Sequence, residues 1–282
     1  MKTKIIGEIG INHNGSLEMT KKLIDVAVIA NCDYVKFQKR NPDVCVPEDE
    51  KNKIKSTPWG EMTYLEYKHK IEFGKEEYDE IDRYCREKKI GWFASVWDLD
   101  SVDFMSQYTT KFNDEEKIMM KIPSALITND ELIKYAKEKS DYLMISTGMS
   151  TEEEIVKCIN ICEPDLIFHT NSTYPSPIDE LNLGYIKWLT EKYPNKEIGY
   201  SGHEFGLTTT FAATTLGATW IERHITLDRA IWGSDQMASV EPSGLIKLIK
   251  GIRDIEIASG NGYGPREVIK SELSKRKTLR GE

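Results

Sequence analysis

Tyr34-Val35-Lys36-Phe37-Gln38 is a short β-rich run in which a lysine stands among apolar neighbours. Seven more runs of the kind recur along the 282 residues: Ile5 to Ile11, Ile90 to Val96, Ile118 to Ile122, Tyr142 to Ser146, Leu166 to His169, Ile198 to Tyr200 and Trp220 to Ile225. Helical periods separate them. Met19, Leu23, Ala27 and Ala30 share a face behind Ser16 as N-cap, and Ile155, Cys158, Ile159 and Cys162 share another. Strand-helix alternation of this length argues for a parallel sheet with crossover helices, and eight units are the number that closes a (β/α)8 TIM barrel. An open doubly wound sheet is the alternative, but the first strand-helix turn, Gly10 to Ser16, has no G-x-G-x-x-G fingerprint.

Composition narrows the class further. With 39% apolar and 10% aromatic residues the chain has the side-chain area for a core. A formal charge of -8 disfavours an extended nucleic-acid surface, which needs clustered Lys and Arg, yet leaves small anions open as ligands. The start, Met1-Lys2-Thr3-Lys4, does not resemble a signal peptide, and no apolar run approaches the roughly 20 residues that span a bilayer. Five cysteines, an odd number, fit a reducing compartment, so a cytoplasmic protein with no membrane partner is expected. Cys158 and Cys162 read as packed side chains rather than a metal or redox pair.

One connection is long. Lys39 to Gly74 carries Pro42, Pro47, Pro58 and a charged run from Glu48 to Lys55, and such excursions commonly cover an active site. Trp59, Tyr64 and Tyr67 are placed to anchor it to the barrel rim. The expected organisation is a catalytic barrel over 1–260 and a tail or linker over 261–282, with no second domain.

In this fold the chemistry sits at the carboxyl ends of the strands. Polar residues gather there: Glu8, Asn12 and His13; Lys36 and Gln38; Ser95 and Asp98; Lys121 and Ser124; Ser146; His169, Asn171, Ser172 and Tyr174; Ser201 and His203; Glu222, Arg223 and His224. Buried ammonium groups cost several kcal/mol unless paired or used, which singles out Lys36 and Lys121. They read as salt bridges to Glu8 or Glu222, as a Schiff-base nucleophile, or, favoured by their being a pair, as an anion clamp with the serines as neutral donors. His203 and His224 end consecutive strands, and neighbouring barrel strands lie about 4.8 Å apart, so the two imidazoles are candidates to share one ion. Two histidines leave open coordination positions, which suits Mn²⁺ or Mg²⁺ acting as a Lewis acid. His13 is open between a loop hydrogen bond and a substrate contact, His169 reads equally as an interior residue, and His69 as a surface one. Asp235, in the loop Gly233-Ser234-Asp235, is open between sugar binding and a local turn.

At these residues the sequence resembles the sialic acid synthase (N-acetylneuraminate synthase) family. The likeness runs in order through Glu8 to Gly15, Val35 to Gln38, Ser95 to Asp98, Lys121 to Ser124, Ser146 to Met149, Thr173 to Pro177, Ser201 to His203, Glu222 to His224 and Gly233 to Asp235. It implies a transferase of carbohydrate and polysaccharide biosynthesis on a TIM barrel, condensing phosphoenolpyruvate with an aldose, N-acetylmannosamine-like or related, to a 2-keto-3-deoxy sugar acid with loss of phosphate by C–O cleavage. It further implies metal ligation by His203 and His224, phosphoenolpyruvate contacts from Lys36, Lys121, Ser95, Ser124, Ser146, Ser172 and Ser201, proton handling by Glu8, sugar contacts from Tyr174 and Asp235, and a homodimer. The chain departs from the family at Ala94-Ser95-Val96-Trp97, at Pro123-Ser124-Ala125-Leu126 and at Ser172, and ends where many members begin an antifreeze-like domain, so a short form is expected. The rival readings are a synthase or aldolase acting on another aldose, phosphorylated ones included, and a non-catalytic barrel that binds a sugar acid.

Overall fold

The computed structural model describes residues 2–260 and 264–281. The first barrel strands are β1 (Lys4–Gly10) and β2 (Tyr34–Lys39), with helix α1 (Leu17–Ala30) between them. Ser16 caps α1 by accepting from the Met19 amide, and Asn31 ends it in the left-handed conformation at φ 66°. The excursion follows as α2 (Pro42–Cys45), a hairpin of β3 (Ile54–Thr57) and β4 (Gly60–Thr63), and α3 (Tyr64–Ile71). Next come α4 (Lys75–Lys88), β5 (Gly91–Val96), α5 (Leu99–Met105) and a small hairpin, β6 (Thr110–Phe112) and β7 (Glu115–Lys117). The second half alternates β8 (Met119–Ile122), α6 (Asp130–Lys139), β9 (Tyr142–Ser146), α7 (Glu152–Cys162), β10 (Leu166–Thr170), α8 (Gly184–Lys192), β11 (Glu197–Gly202), α9 (Thr208–Thr215), β12 (Trp220–His224) and α10 (Pro242–Ala258).

Strands β1, β2, β5, β8, β9, β10, β11 and β12 are parallel and close into a ring in chain order, β12 pairing with β1 from Lys4↔Trp220 to Glu8↔His224. The expected closed barrel is therefore the observed one, and the open sheet is excluded. Alternate residues of each strand point inward. The lower inward positions form one apolar cluster, Ile6, Tyr34, Phe93, Met119, Met144, Phe168 and Trp220 among them. Two inward positions are glycine because an aromatic ring occupies the space of a side chain: a Cβ on Gly91 would lie 2.4 Å from Tyr34, and one on Gly199 would lie 2.5 Å from Phe168. The outward positions pack against the helices in a separate, larger core that includes Ile5, Val35, Ala94, Ile145 and Ile221 with Leu23, Ile133, Ile159 and Leu248. Both Cys158 and Cys162 are free and buried in it.

The excursion is more ordered than a solvated loop. Helix α3 has a reciprocal cap, in which Thr63 Oγ1 accepts from the Glu66 amide and the Glu66 carboxylate accepts from the Thr63 amide at 2.7 Å. Trp232, in the loop after β12, holds the excursion to the rim through edge contacts to Trp59 at 5.9 Å and to Tyr67 at 5.2 Å between ring centres. Residues 264–281 include one exposed helix, α11 (Leu273–Arg280); Asn261 to Tyr263 and Glu282 of the expected tail lie outside the described residues.

Candidate active site

The upper inward positions of the strands carry the chemistry. Two residues above Ile6 comes Glu8, above Tyr34 comes Lys36, above Phe93 comes Ser95, above Met119 comes Lys121, above Met144 comes Ser146 and above Trp220 comes Glu222. All six are buried. Their side chains converge on a cavity of about 260 Å³ that ten of the twelve expected site residues line: Glu8, Lys36, Ser95, Lys121, Ser124, Ser146, Ser172, Tyr174, Ser201 and His203. His224 is buried beside His203 without lining this cavity. Asp235 lines an adjoining cavity of about 420 Å³, joined to the first by Gln38, Trp97 and Tyr174.

Two ammonium groups and two carboxylates meet at the floor. Lys121 Nζ donates to both oxygens of Glu222 at 2.9 Å, and Lys36 Nζ lies 2.9 Å from Glu8 Oε2 and 3.7 Å from Glu222 Oε1. Lys36 also donates to Ser95 Oγ at 3.0 Å, and Ser201 Oγ donates to Glu222 Oε1 at 3.0 Å. Burial pulls the Lys36 ammonium down, but the Glu222 and Glu8 carboxylates outweigh it and hold the group above its ordinary value. Lys121 has burial against it, only partly offset by Glu222 and reinforced by the charge of Lys36, and is pulled down to about 8. Glu222 is pushed up by burial and pulled down further by Lys121 and Lys36, so it stays ionised. The salt-bridge reading of the lysines is thus present in the folded chain.

Beside this cluster, some hydroxyls have no partner. Ser146 Oγ and Thr170 Oγ1 are buried without a hydrogen bond, a state that normally marks a ligand or water site. Gly148 turns its amide to Ser124 Oγ at 3.1 Å, and a Cβ there would lie 2.1 Å from Ser172 Oγ, so only glycine admits both hydroxyls.

His203 and His224 stand side by side with ring centres 5.3 Å apart, and the Tyr174 ring covers His203 at 4.1 Å. Nδ1 of His203 is 2.6 Å from the Asn171 carbonyl, which only accepts, so this nitrogen carries the proton and Nε2 keeps its lone pair. Burial, followed by the neighbouring His224, holds His203 well below its ordinary value and therefore neutral. Nδ1 of His224 is buried with no hydrogen-bond partner, and Asp235 Oδ2 is 3.8 Å away. A tautomer fixed by a carbonyl and an orphaned ring nitrogen are the features of imidazoles prepared for an ion, so the pair fits a divalent metal. Among the described residues no group of three or more His, Cys, Asp and Glu side chains is arranged to hold one, which leaves its remaining positions to solvent or substrate oxygen.

The other histidines take structural parts. His13 is buried, stacks on Phe73 at 4.2 Å and accepts from the Gly15 amide through Nδ1 at 3.0 Å. His169 bonds the Leu181 carbonyl at 2.7 Å, and His69 is an exposed partner of Asp43.

A family model described as the NeuB family matches residues 23–264. The chain belongs to that family. It is 35% identical to the N-acetylneuraminate-9-phosphate synthase of Drosophila melanogaster over 94% of this chain and 71% of that protein. It is 34% identical to the N,N'-diacetyllegionaminic acid synthase of Campylobacter jejuni over 96% of this chain and 81% of the relative. The crystal structure of an N-acetylneuraminic acid (sialic acid) synthetase from Leptospira borgpetersenii, in complex with citrate, superposes with a TM-score of 0.83 at 28% identity, covering 100% of this chain and 94% of that one. The expectation of a phosphoenolpyruvate-dependent sugar acid synthase on a TIM barrel is met.

Several residues at the site escaped the sequence reading. Thr170 was hidden because its strand reads as ending at His169. Glu204 escaped it too, and it is the buried partner of Arg223, which the strand-end residues already included: Glu204 Oε1 accepts from Arg223 Nη1 at 3.1 Å and from Thr209 Oγ1 at 2.6 Å, while Tyr200 donates to Oε2 at 2.9 Å. This network pins the segment after His203. Arg40 and Lys68, in the adjoining cavity, come from the excursion, and Thr63-Tyr64-Leu65-Glu66 is the capping signal that announces the helix carrying Lys68.

Proposed function

We propose that the cavity at the barrel mouth joins C3 of phosphoenolpyruvate to the aldehyde carbon of an N-acetylmannosamine-like or related aldose. One observation carries the assignment of roles: two buried ammonium groups and two unpartnered hydroxyls line one cavity beside the paired imidazoles of His203 and His224. Lys36 and Lys121 bind the phosphate and carboxylate of phosphoenolpyruvate, with hydroxyls from Ser95, Ser124, Ser146, Ser172 and Ser201 as neutral donors around the same anion. Tyr174 and Asp235 face the sugar. His203 and His224 would hold a divalent ion, Mn²⁺ or Mg²⁺, which when bound supplies Lewis-acid polarisation of the aldehyde.

Attack by C3 leaves positive character at C2. Glu8 holds a water for that carbon and takes its proton; the carboxylate is kept in place by Gln38, which donates to Oε1 at 3.1 Å. The resulting C2 hydroxyl and phosphate share one carbon, and the C2–O bond to phosphate breaks as the ketone forms. The oxygen of the water stays in the product, one of its protons ends on the new sugar hydroxyl, and the other leaves with phosphate.

Residues 1–260 form the catalytic unit in this reading, with the rest a tail or linker. A homodimer belongs to the same proposal, supported by the exposed Leu273 and Leu279 of α11. Five free cysteines support a reducing, cytoplasmic setting; no described helix is long and apolar enough to cross a membrane. Released phosphate, measured with phosphoenolpyruvate, Mn²⁺ and a panel of aldoses, tests the reading. The expected result is aldose-dependent release abolished by a chelator. Trapping of Lys36 or Lys121 by borohydride with chelator-resistant activity would instead favour a Schiff-base aldolase.

A further inference from the structure

The adjoining cavity holds a charge imbalance that the condensation does not explain. Arg40 and Lys68 both line it and both are nine-tenths buried, and neither side chain makes an ion pair with a carboxylate among the described residues. Arg40 stacks on Trp97 at 4.2 Å and donates to Gln38 Oε1, and its Nε has no partner. Lys68 Nζ rests over the rings of Tyr64 and Tyr67, 5.2 and 5.3 Å from their centres. The two acids nearby are engaged elsewhere. Glu72 is held by Lys39 at 2.7 Å, and Asp235 accepts from Ser234 through Oδ1 at 2.6 Å while its Oδ2 lies 3.8 Å from His224 Nδ1. Burial and then the charge of Arg40 pull the Lys68 ammonium down to about 8, and the attraction of Asp235 and Glu72 does not restore it.

Two like charges buried without a directly paired carboxylate are costly in the free protein, a cost that an entering anion relieves. The cavity opens onto the catalytic one through Gln38, Trp97 and Tyr174, so the anion belongs to the substrate on the sugar side, at the end away from the aldehyde. A phosphomonoester dianion matches two cations, with a planar guanidinium to fork onto its oxygens and an ammonium as a point charge. We infer that Arg40 and Lys68 bind the terminal phosphate of the acceptor, which is a phosphorylated aldose. The inference rests on the reading of this cavity as the aldose side of the site.

The test is calorimetric binding of free aldohexoses and N-acetylhexosamines, their 6-phosphates and the matching uronic acids, with phosphoenolpyruvate and EDTA present, run alongside phosphate-release assays. At least one 6-phosphate is expected to bind about 30-fold or more tighter than its free sugar. Lys68→Met, which keeps the apolar stem, and Arg40→Gln should each remove most of that preference while leaving the Kd for phosphoenolpyruvate unchanged. Equal binding of free and phosphorylated sugars, no binding of any 6-phosphate, or a preference untouched by both variants overturns the inference. Tighter binding of a uronic acid, lost in Lys68→Met, overturns the phosphate assignment in favour of a carboxylate. A phosphate preference that behaves as expected, with no phosphate released under any metal, upholds the pocket and refutes the condensation reading instead.

Discussion

Lys121 donates to both carboxylate oxygens of Glu222 at 2.9 Å, joining the fourth and eighth barrel strands across the interior. Removing one partner of a buried pair strands the other, a loss of about 3 to 5 kcal/mol, whereas removing both is far milder. Glu222→Gln is therefore expected to unfold at clearly lower urea, and Lys121→Met with Glu222→Gln to recover much of the difference. A double variant as unstable as the sum of the singles contradicts the pairing.

Lys121 has a second, substrate-directed part in the proposed function. Lys121→Ala should raise KM for phosphoenolpyruvate about 10- to 100-fold, as for the loss of a charge-assisted contact, with a smaller effect on kcat. Because burial and Lys36 bring this ammonium down to about 8, wild-type kcat/KM for phosphoenolpyruvate should fall as pH rises through 8. The residual activity of Lys121→Ala should lack that limb.

His203→Ala and His224→Ala should each lower affinity for Mn²⁺ and turnover together, by at least about 100-fold in kcat, with the far-ultraviolet spectrum unchanged. Metal titration by calorimetry reads the first effect. Full activity of either variant in the presence of chelator removes the metal assignment.

His13 gives a prediction about stability. Burial holds its imidazole down at about 3, so the folded chain keeps it neutral while the unfolded chain takes up a proton near pH 6.5. The favourable term is complete above pH 6.5 and shrinks as pH falls toward 3. Between pH 7 and 5 wild type should lose about 2 kcal/mol more than His13→Asn, as followed by urea unfolding at each pH. Parallel pH dependences would show that the histidine is not buried neutral.

The barrel was legible because each strand has one inward face that turns from apolar to polar along its length, as in Tyr34, Lys36 and Gln38, and that pattern survives in the sequence. Polar strand ends, taken on the expectation of a barrel, located twelve residues of the main cavity, Gln38 and Glu222 included. Whether a lysine pairs or binds was not legible, because pairing depends on shear: Glu8 lies beside Lys36 and His224, while the Lys121–Glu222 contact crosses the ring. The excursion hid the most. Its prolines and charges read as loop, yet α3 buries Tyr67, Lys68 and Ile71 through one reciprocal cap, and a buried lysine on a polar helix leaves no trace in hydropathy.

The central claim is that C3 of phosphoenolpyruvate attacks the aldose and the C2–O bond then breaks. Phosphoenolpyruvate labelled with ¹⁸O at the bridging oxygen tests this most directly, by mass spectrometry of both products after turnover with an accepted aldose and Mn²⁺. The account predicts all of the label in inorganic phosphate and none in the sugar acid. Label retained at C2 of the sugar acid would contradict it.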